Sequence, residues 1–220
     1  MKTVGMITIG QSPRDDLMPQ FRELLGSGFR IREAGALDGL SSAEIAARAP
    51  QRGQHPLITR LAGGAETIVA KEAILALLQE RIAQLEREAD LLVILCTGTF
   101  PSFHCNKPIL EPDRILFAAV QAVYREGPLG VLIPIAAQAE SAAATFSAVT
   151  PRLAIEAASP YQGTAALREA AEKLNAAGAS LVVMNCMGFT ESHKQALRDV
   201  TGTPALLPSS LLARFIAEVA

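Results

Sequence analysis

The sequence predicts an α/β protein built from two similar lobes, each with a parallel sheet flanked by helices. Short apolar, β-branched runs alternate with helical patterns along most of the 220 residues, as expected for repeated βα units. The loops between these elements are short, which favours neighbouring parallel strands. Residues 92–98 (LVILCTG) also resemble residues 182–188 (VVMNCMG), which indicates that one unit occurs twice.

The first half begins with a predicted strand and a helix whose apolar residues recur at helical spacing. Ser41 or Ser42, followed by Glu44, predicts the capped start of a short helix. Two short strands around Gly63 and Gly64 then predict a β-hairpin. The predicted elements are a strand at 4–9, a helix around 17–25, a strand at 29–34, a helix at 41–49, hairpin strands at 57–61 and 66–70, a helix at 71–88 and a strand at 91–95.

The second half shows the same alternation without a hairpin. Pro112 lies near the first turn of its predicted helix, where proline is accepted. The predicted elements are a helix opening at 111–113, a strand at 129–134, a helix at 136–146, a strand at 153–158, a helix at 164–177, a strand at 181–185, a helix at 191–200, a short strand at 205–207 and an amphipathic helix at 209–219.

Each half runs from an opening strand to a cysteine at the end of a later strand. The first copy runs from residue 4 to Cys96 and the second from residue 129 to Cys186. The extra length of the first copy matches residues 35–70, which hold the short helix and the hairpin. We therefore predict a first lobe of residues 1–110 plus 205–220, and a second lobe of residues 111–204, related by a pseudo-twofold axis.

The composition excludes several classes of function. The net charge is −2 and the basic residues are scattered, so no nucleic-acid surface is expected. No apolar run reaches the roughly 18–20 residues of a membrane span, and no signal-peptide cleavage site follows the first run; a cytoplasmic protein with reduced cysteines is predicted. His104 and Cys105 are adjacent rather than spaced as metal ligands, and nucleotide-binding motifs are absent, so neither a metal nor a cofactor is expected.

Cys96 and Cys186 follow predicted buried strands, at the edge where parallel sheets bind ligands. Each is expected to precede a helix, whose N-terminus would favour the thiolate. Gly98 and Gly188 would let a ligand approach the backbone closely. A single cysteine at a strand end is usually a small buried apolar residue, but two at equivalent positions favour a shared function across one cleft.

Facing thiols suit proton transfer at a carbon next to a carboxylate. One thiolate removes a proton, and the opposite thiol returns a proton to the other face. The backbone N–H groups of Thr97, Gly98, Met187 and Gly188 would stabilise the enolate-like charge. The same pair would also suit addition to a double bond, decarboxylation, or a redox role as a disulfide.

The loop after the first strand lies at the same predicted edge. Ser12 either contacts a ligand or caps the following helix, and Arg14 either clamps a carboxylate or pairs with a neighbouring aspartate, Asp15 or Asp16. His55 and His193 are expected to be solvated. The residues predicted to bind the ligand are Gly10, Gln11, Ser12, Arg14, Thr97, Gly98, Thr99, Met187 and Gly188.

Four stretches of the sequence resemble the AroM family: residues 8–14 (TIGQSPR), 110–116 (LEPDRIL), 130–134 (GVLIP) and 185–189 (NCMGF). That family is in turn similar to the aspartate/glutamate racemase superfamily, which includes hydantoin racemases, maleate isomerases and arylmalonate decarboxylases. The resemblance implies two α/β lobes with the ligand between them and two equivalent cysteines, matching Cys96 and Cys186. It also implies that the C-terminal helix packs on the first lobe, and a homodimer is an expectation because the resembling families often dimerise.

The residues beside the two cysteines differ from the pattern of the amino-acid racemases. Those enzymes usually carry Cys-Asn-Thr at the first site, where this chain has Cys96-Thr97-Gly98-Thr99. They carry Cys-Thr followed by Glu or His at the second site, where this chain has Met187 and Gly188. A carboxylate-binding hydroxyl and a polar helper are therefore missing there, which points to a different ligand.

These observations predict a cofactor-independent isomerase that acts on a small carboxylate through Cys96 and Cys186. The reaction would be of the racemase, epimerase or cis–trans isomerase type. The alternative is a non-catalytic regulatory protein that binds a small anionic metabolite. No nucleic-acid or membrane partner is expected for either function.

Overall fold

A computed structural model describes residues 1–220, and the chain divides into two compact units. The first unit contains Met1–Asp113 and Leu212–Ala220, and the second contains Arg114–Leu211. The elements up to the start of the second unit are β1 (Lys2–Thr8), α1 (Met18–Leu25), β2 (Phe29–Gly35), α2 (Ser42–Ala46), β3 (Pro56–Arg60), β4 (Glu66–Ala70), α3 (Lys71–Leu85), β5 (Leu91–Leu95), β6 (Ile109–Leu110) and α4 (Pro112–Val123).

The first unit is built on a parallel sheet with the strand order β2-β1-β5-β6. Thr8 of β1 is in register with Gly35 of β2 and Leu95 of β5, so three strands end at one level. Helix α3 covers one face of the sheet, since Ile74 and Leu78 belong to the same buried cluster as the strand residues. The predicted site residues of the first unit lie at the sheet edge after Thr8 and Leu95.

The hairpin and the short helix of the first unit are confirmed. Strands β3 and β4 pair antiparallel, and Gly64 in their turn has a φ of 87°, a conformation that favours glycine. Helix α2 begins with a capping box in which the Ser41 side chain accepts the Glu44 N–H and the Glu44 carboxylate accepts the Ser41 N–H. These elements are inserted between β2 and α3.

The second unit has a parallel sheet with the strand order β8-β7-β9-β10, which repeats the order of the first sheet. Buried residues of α4 and α5 pack on one face, and those of α6 and α7 pack on the other. Its elements after α4 are β7 (Leu129–Ile133), α5 (Ala139–Phe146), β8 (Leu153–Ala157), α6 (Ala165–Ala176), β9 (Leu181–Met184), α7 (Glu191–Thr201), β10 (Ala205–Leu206) and α8 (Pro208–Val219).

The structure differs from the sequence predictions at two places. The short strand β6 was not predicted; it lies between the loop of residues 97–108 and α4, which opens where the sequence predicts a helix. Strand β10, assigned by sequence to the first lobe, pairs with β9 in the second sheet. The change between units therefore falls inside α8, after Leu211. None of the helices is both long and apolar enough to cross a bilayer.

Candidate functional site

Cys96 and Cys186 have the same local geometry in the two units. Cys96 directly follows β5, and Cys186 follows β9 after one intervening residue. Each of these strands lies beside the opening strand of its unit, β1 or β7. The sulfur of Cys96 accepts a hydrogen bond from the Gly98 N–H at 3.3 Å, and that of Cys186 accepts one from the Gly188 N–H at 3.4 Å. The cysteines are 9% and 8% exposed. An N–H donor directed at sulfur favours the thiolate over the thiol.

The predicted helix N-terminus beside each cysteine is wrong as the source of this stabilisation. No helix follows Cys96 before β6, and α7 begins only at Glu191. The donors are instead single N–H groups in the turns after the strands. Because the Gly98 and Gly188 N–H groups point at sulfur, the remaining predicted donors for ligand charge are those of Thr97 and Met187.

The surroundings of Cys96 are apolar and come partly from the inserted hairpin. A Cβ atom on Gly98 would lie 3.2 Å from Cδ2 of Leu57, a β3 residue, and 3.8 Å from the ring of Phe100. Leu57 and Cys96 belong to one buried cluster, against which Phe100 packs. Thr97 is half-buried, whereas Thr99 is exposed. The hairpin therefore packs directly against the turn that carries the first cysteine.

The surroundings of Cys186 include a hydroxyl group that the sequence analysis missed. A Cβ atom on Gly188 would lie 2.6 Å from Oη of Tyr161 and 2.8 Å from Cγ of Pro160. These residues follow β8, so their loop lies at the same sheet edge as the cysteine. Met187 is 2% exposed, so its side chain belongs to the core. The sequence signal for Tyr161 was its place in a turn just after a strand.

Ser12 is held by Asp38, a second residue that the sequence analysis missed. The carboxylate of Asp38 accepts hydrogen bonds from the N–H of Ser12 at 2.8 Å, from its hydroxyl at 2.6 Å and from the Gly35 N–H at 2.7 Å. The predicted alternative, a helix cap by Ser12, is wrong because α1 starts at Met18, and the preceding Leu17 makes no side-chain cap.

Gly10 and Gln11 are covered by the hairpin. The Gln11 side chain donates to the Leu37 carbonyl at 3.3 Å and accepts the Ala62 N–H at 3.0 Å. A Cβ atom on Gly10 would overlap Thr59 and the carbonyl of Arg60. Glycine is required at residue 10 because the hairpin approaches the backbone so closely. In this structure both residues fasten the loop after β1 to the hairpin.

Arg14 is 3% exposed and forms a bidentate ion pair with Asp16. Its Nε and Nη2 atoms donate to the two carboxylate oxygens at 2.8 and 2.7 Å, and Nη1 donates to the Thr8 hydroxyl at 3.1 Å. Burial raises the pKa of Asp16, but the Arg14 hydrogen bonds and charge outweigh this and lower its pKa overall. The aspartate pairing considered from the sequence is present, in a buried rather than a surface form.

His193 is not solvated as predicted, because it caps α7. Its Nδ1 accepts the Thr190 N–H at 3.0 Å and lies 2.9 Å from the Thr190 hydroxyl. The ring packs edge-on against Phe189, with centroids 5.8 Å apart. Burial lowers the pKa of His193. His55 is exposed and contacts Glu72, and burial raises the pKa of the loop thiol Cys105.

Comparison with known proteins places the chain in a family and a fold. The model of the AroM protein family matches residues 4–220. No curated protein matches the chain significantly by sequence. The allantoin racemase from Pseudomonas fluorescens superposes with a TM-score of 0.62 at 11% identity, covering 98% of this chain and 89% of that one. The glutamate racemase from Aquifex pyrophilus superposes with a TM-score of 0.61 at 12% identity, covering 99% of this chain and 84% of that one. An unliganded arylmalonate decarboxylase superposes with a TM-score of 0.59 at 14% identity, covering 99% of this chain and 91% of that one. The chain therefore belongs to the AroM family and has the fold of the aspartate/glutamate racemases.

Proposed function

We propose that the protein is a cofactor-independent isomerase of the racemase type, acting on a small carboxylate. The observation that carries the proposal is the matched N–H···S hydrogen bond at Cys96 and Cys186. The two sulfurs follow equivalent strands of sheets with the same strand order, and both are largely buried. A purely structural cysteine has no need of a repeated donor directed at its sulfur.

In the proposed reaction the two cysteines act on opposite faces of one carbon. The thiolate of one cysteine takes the proton from the carbon next to the carboxylate, and the electron pair moves into the enolate. The thiol of the other cysteine then gives its proton to the opposite face of that carbon. The substrate is inverted or isomerised, and the two sulfurs have exchanged protonation states, so no electron acceptor is required.

The other residues of the proposed site bind the substrate or give the site its shape. The N–H groups of Thr97 and Met187 stabilise the developing enolate charge, with the exposed Thr99 beside the first of them. Arg14 fixes the loop after β1 through its buried ion pair with Asp16, while Gly10, Gln11 and Ser12 line the proposed substrate site. Their polar groups are already bonded to the hairpin and to Asp38, so we assign them shape rather than charge.

Two comparisons support this class of reaction. The similar structures include proteins named as allantoin racemase and glutamate racemase, so the fold accommodates inversion at carbon. A decarboxylase also shares the fold, but decarboxylation requires only one proton donor. The matched pair in this chain favours a two-base reaction. The missing polar side chains at Met187 and Gly188 favour a carboxylate other than an amino acid.

Deuterium exchange in D₂O tests the proposal. A panel of hydroxy acids, dicarboxylates and hydantoins should contain a compound whose α-hydrogen exchanges, detected by ¹H NMR or mass spectrometry. Cys96→Ser and Cys186→Ser should each slow exchange at least about 100-fold, the usual contribution of an acid–base group. Cys105→Ser is the matched control, because this thiol lies in the loop before β6, and its exchange rate should equal that of the wild type.

Three outcomes would reject the proposal. An unchanged exchange rate in either active-site variant would show that the cysteines do not act as a pair. A compound that binds measurably but never exchanges would favour the binding protein. A Cys96–Cys186 disulfide found by mass spectrometry under mild oxidation, with no exchange activity, would favour a redox role.

A further inference from the structure

We propose that Tyr161 is a substrate-binding residue on the Cys186 side, donating its phenol hydrogen bond to the substrate carboxylate. This inference rests on the proposed function. The Tyr161 hydroxyl lies in the space that a side chain on Gly188 would occupy. The N–H of that same glycine donates to the Cys186 sulfur. A neutral phenol is a hydrogen-bond donor at ordinary pH, so a donor lies beside the glycine whose N–H contacts the Cys186 sulfur.

The loop after β8 holds Tyr161 in this position. The Ala158 N–H donates to the Ile133 carbonyl at 2.9 Å, which keeps the chain beside β7 after the strand has ended. Pro160 is buried against Gly188, and the Tyr161 N–H donates to the Ser159 hydroxyl at 3.2 Å. These contacts hold the loop backbone in place, so the Tyr161 ring starts from a fixed position beside Gly188.

The first unit shows that this arrangement is specific to the second cysteine. There the Ala36 N–H donates to the Thr8 carbonyl at 2.9 Å, the equivalent contact after β2. The chain then continues into Asp38, which binds Ser12, and the space beside Gly98 is bordered by apolar Leu57. The Tyr161 hydroxyl therefore lies on the Cys186 side, where the following residues, Met187 and Gly188, carry no polar side chain.

Alkylation of the thiols by a charged and a neutral reagent tests the inference without knowledge of the substrate. Iodoacetate and iodoacetamide both transfer their CH₂ group to a thiolate with loss of iodide, but only iodoacetate carries a carboxylate. Rates at each cysteine are measured by peptide mass spectrometry. In Tyr161→Phe the iodoacetate/iodoacetamide rate ratio at Cys186 should fall about tenfold, as expected for a lost hydrogen bond to a charged group, while the ratio at Cys96 should not change.

The chain offers a matched control, because its only other tyrosine is Tyr124. Its hydroxyl donates to the Gly127 carbonyl at 2.6 Å, and Tyr124→Phe should leave both ratios unchanged. An unchanged ratio at Cys186 in Tyr161→Phe would overturn the inference; if both reagents' rates changed by the same factor, Tyr161 would have a structural role only. A lowered ratio combined with no deuterium exchange in the wild type would retain the carboxylate site and reject the isomerase.

Discussion

Replacing Gly188 by alanine tests the close packing beside Cys186. The added methyl group would lie 2.6 Å from the Tyr161 hydroxyl and 2.8 Å from Cγ of Pro160. The tyrosine can rotate away, but the proline ring is fixed to its backbone, so the loop or the turn after Cys186 must shift. Gly188 does not have a positive φ, so the cost is one of packing. We expect the free energy of unfolding to fall by about 1–3 kcal/mol, the usual cost of overpacking.

Gly98→Ala is the matched control, because Gly98 occupies the same place relative to its cysteine. Its methyl group would lie 3.2 Å from Cδ2 of Leu57, an atom at the end of a flexible side chain. We expect a change of less than about 1 kcal/mol, because alanine also restricts the unfolded chain. The contrast between the two variants isolates the effect of Pro160 and Tyr161, since each glycine N–H donates to its own cysteine sulfur.

Urea unfolding followed by circular dichroism and tyrosine fluorescence measures both costs. The chain has no tryptophan and its two tyrosines, Tyr124 and Tyr161, lie in the second unit, so the fluorescence reports the unit that contains Gly188. In a Pro160→Ala background the cost of Gly188→Ala should shrink, because one of the two close contacts is gone. The reasoning is refuted if Gly98→Ala costs as much as Gly188→Ala, or if the latter lies within about 0.5 kcal/mol of the wild type.

Three further predictions concern pH, charge and assembly. Stability should fall as the pH drops below the ordinary histidine pKa of 6.5, because burial lowers the pKa of His193. Folding favours its neutral ring, which accepts the Thr190 N–H, so this contribution is present above that pH and is lost as the pH falls through the folded-state pKa. Urea midpoints should depend less on pH in His193→Gln, which keeps a capping side chain; an equal dependence would contradict this. Asp16→Asn should cost about 3 kcal/mol, since it leaves buried Arg14 without its counter-charge, whereas Glu88→Gln, which breaks an exposed pair, should cost less than about 1 kcal/mol; similar urea-unfolding energies for the two would count against the buried pair. The resemblance predicts a homodimer, so sedimentation equilibrium should give about twice the chain mass of 23.2 kDa, and the single chain mass would refute it.

The elements that the sequence predicts well are those with strong local signals. Gly63 and Gly64 between two apolar runs predict the hairpin, and Ser41 with Glu44 predicts the start of α2; both are present. Strand β6 has only two residues and is too short to produce a periodic pattern. Strand β10, also two residues long, was predicted, but its sheet was not, because strand pairing depends on the tertiary arrangement.

The sequence repeat predicts the position of the two cysteines but not their surroundings. Similar sequences around Cys96 and Cys186 identified equivalent strand ends, but they did not reveal which groups would contact the sulfurs. Asp38 and Tyr161 come from loops after β2 and β8, distant in sequence from the residues that they contact. Applying the strand-end rule to the outer strands, and not only to the cysteine strands, would have singled out both loops.

Duplication gives the two cysteines the same donor, and the loops then make their surroundings different. Beside Cys96 the inserted hairpin places Leu57, and beside Cys186 the loop after β8 places the hydroxyl of Tyr161. A two-base reaction needs one thiolate and one thiol at the start of each turnover. An apolar neighbour favours the neutral thiol, while a nearby hydrogen-bond donor favours the thiolate. In the proposed reaction, these unlike surroundings give the two thiols of the matched pair different tendencies to ionise.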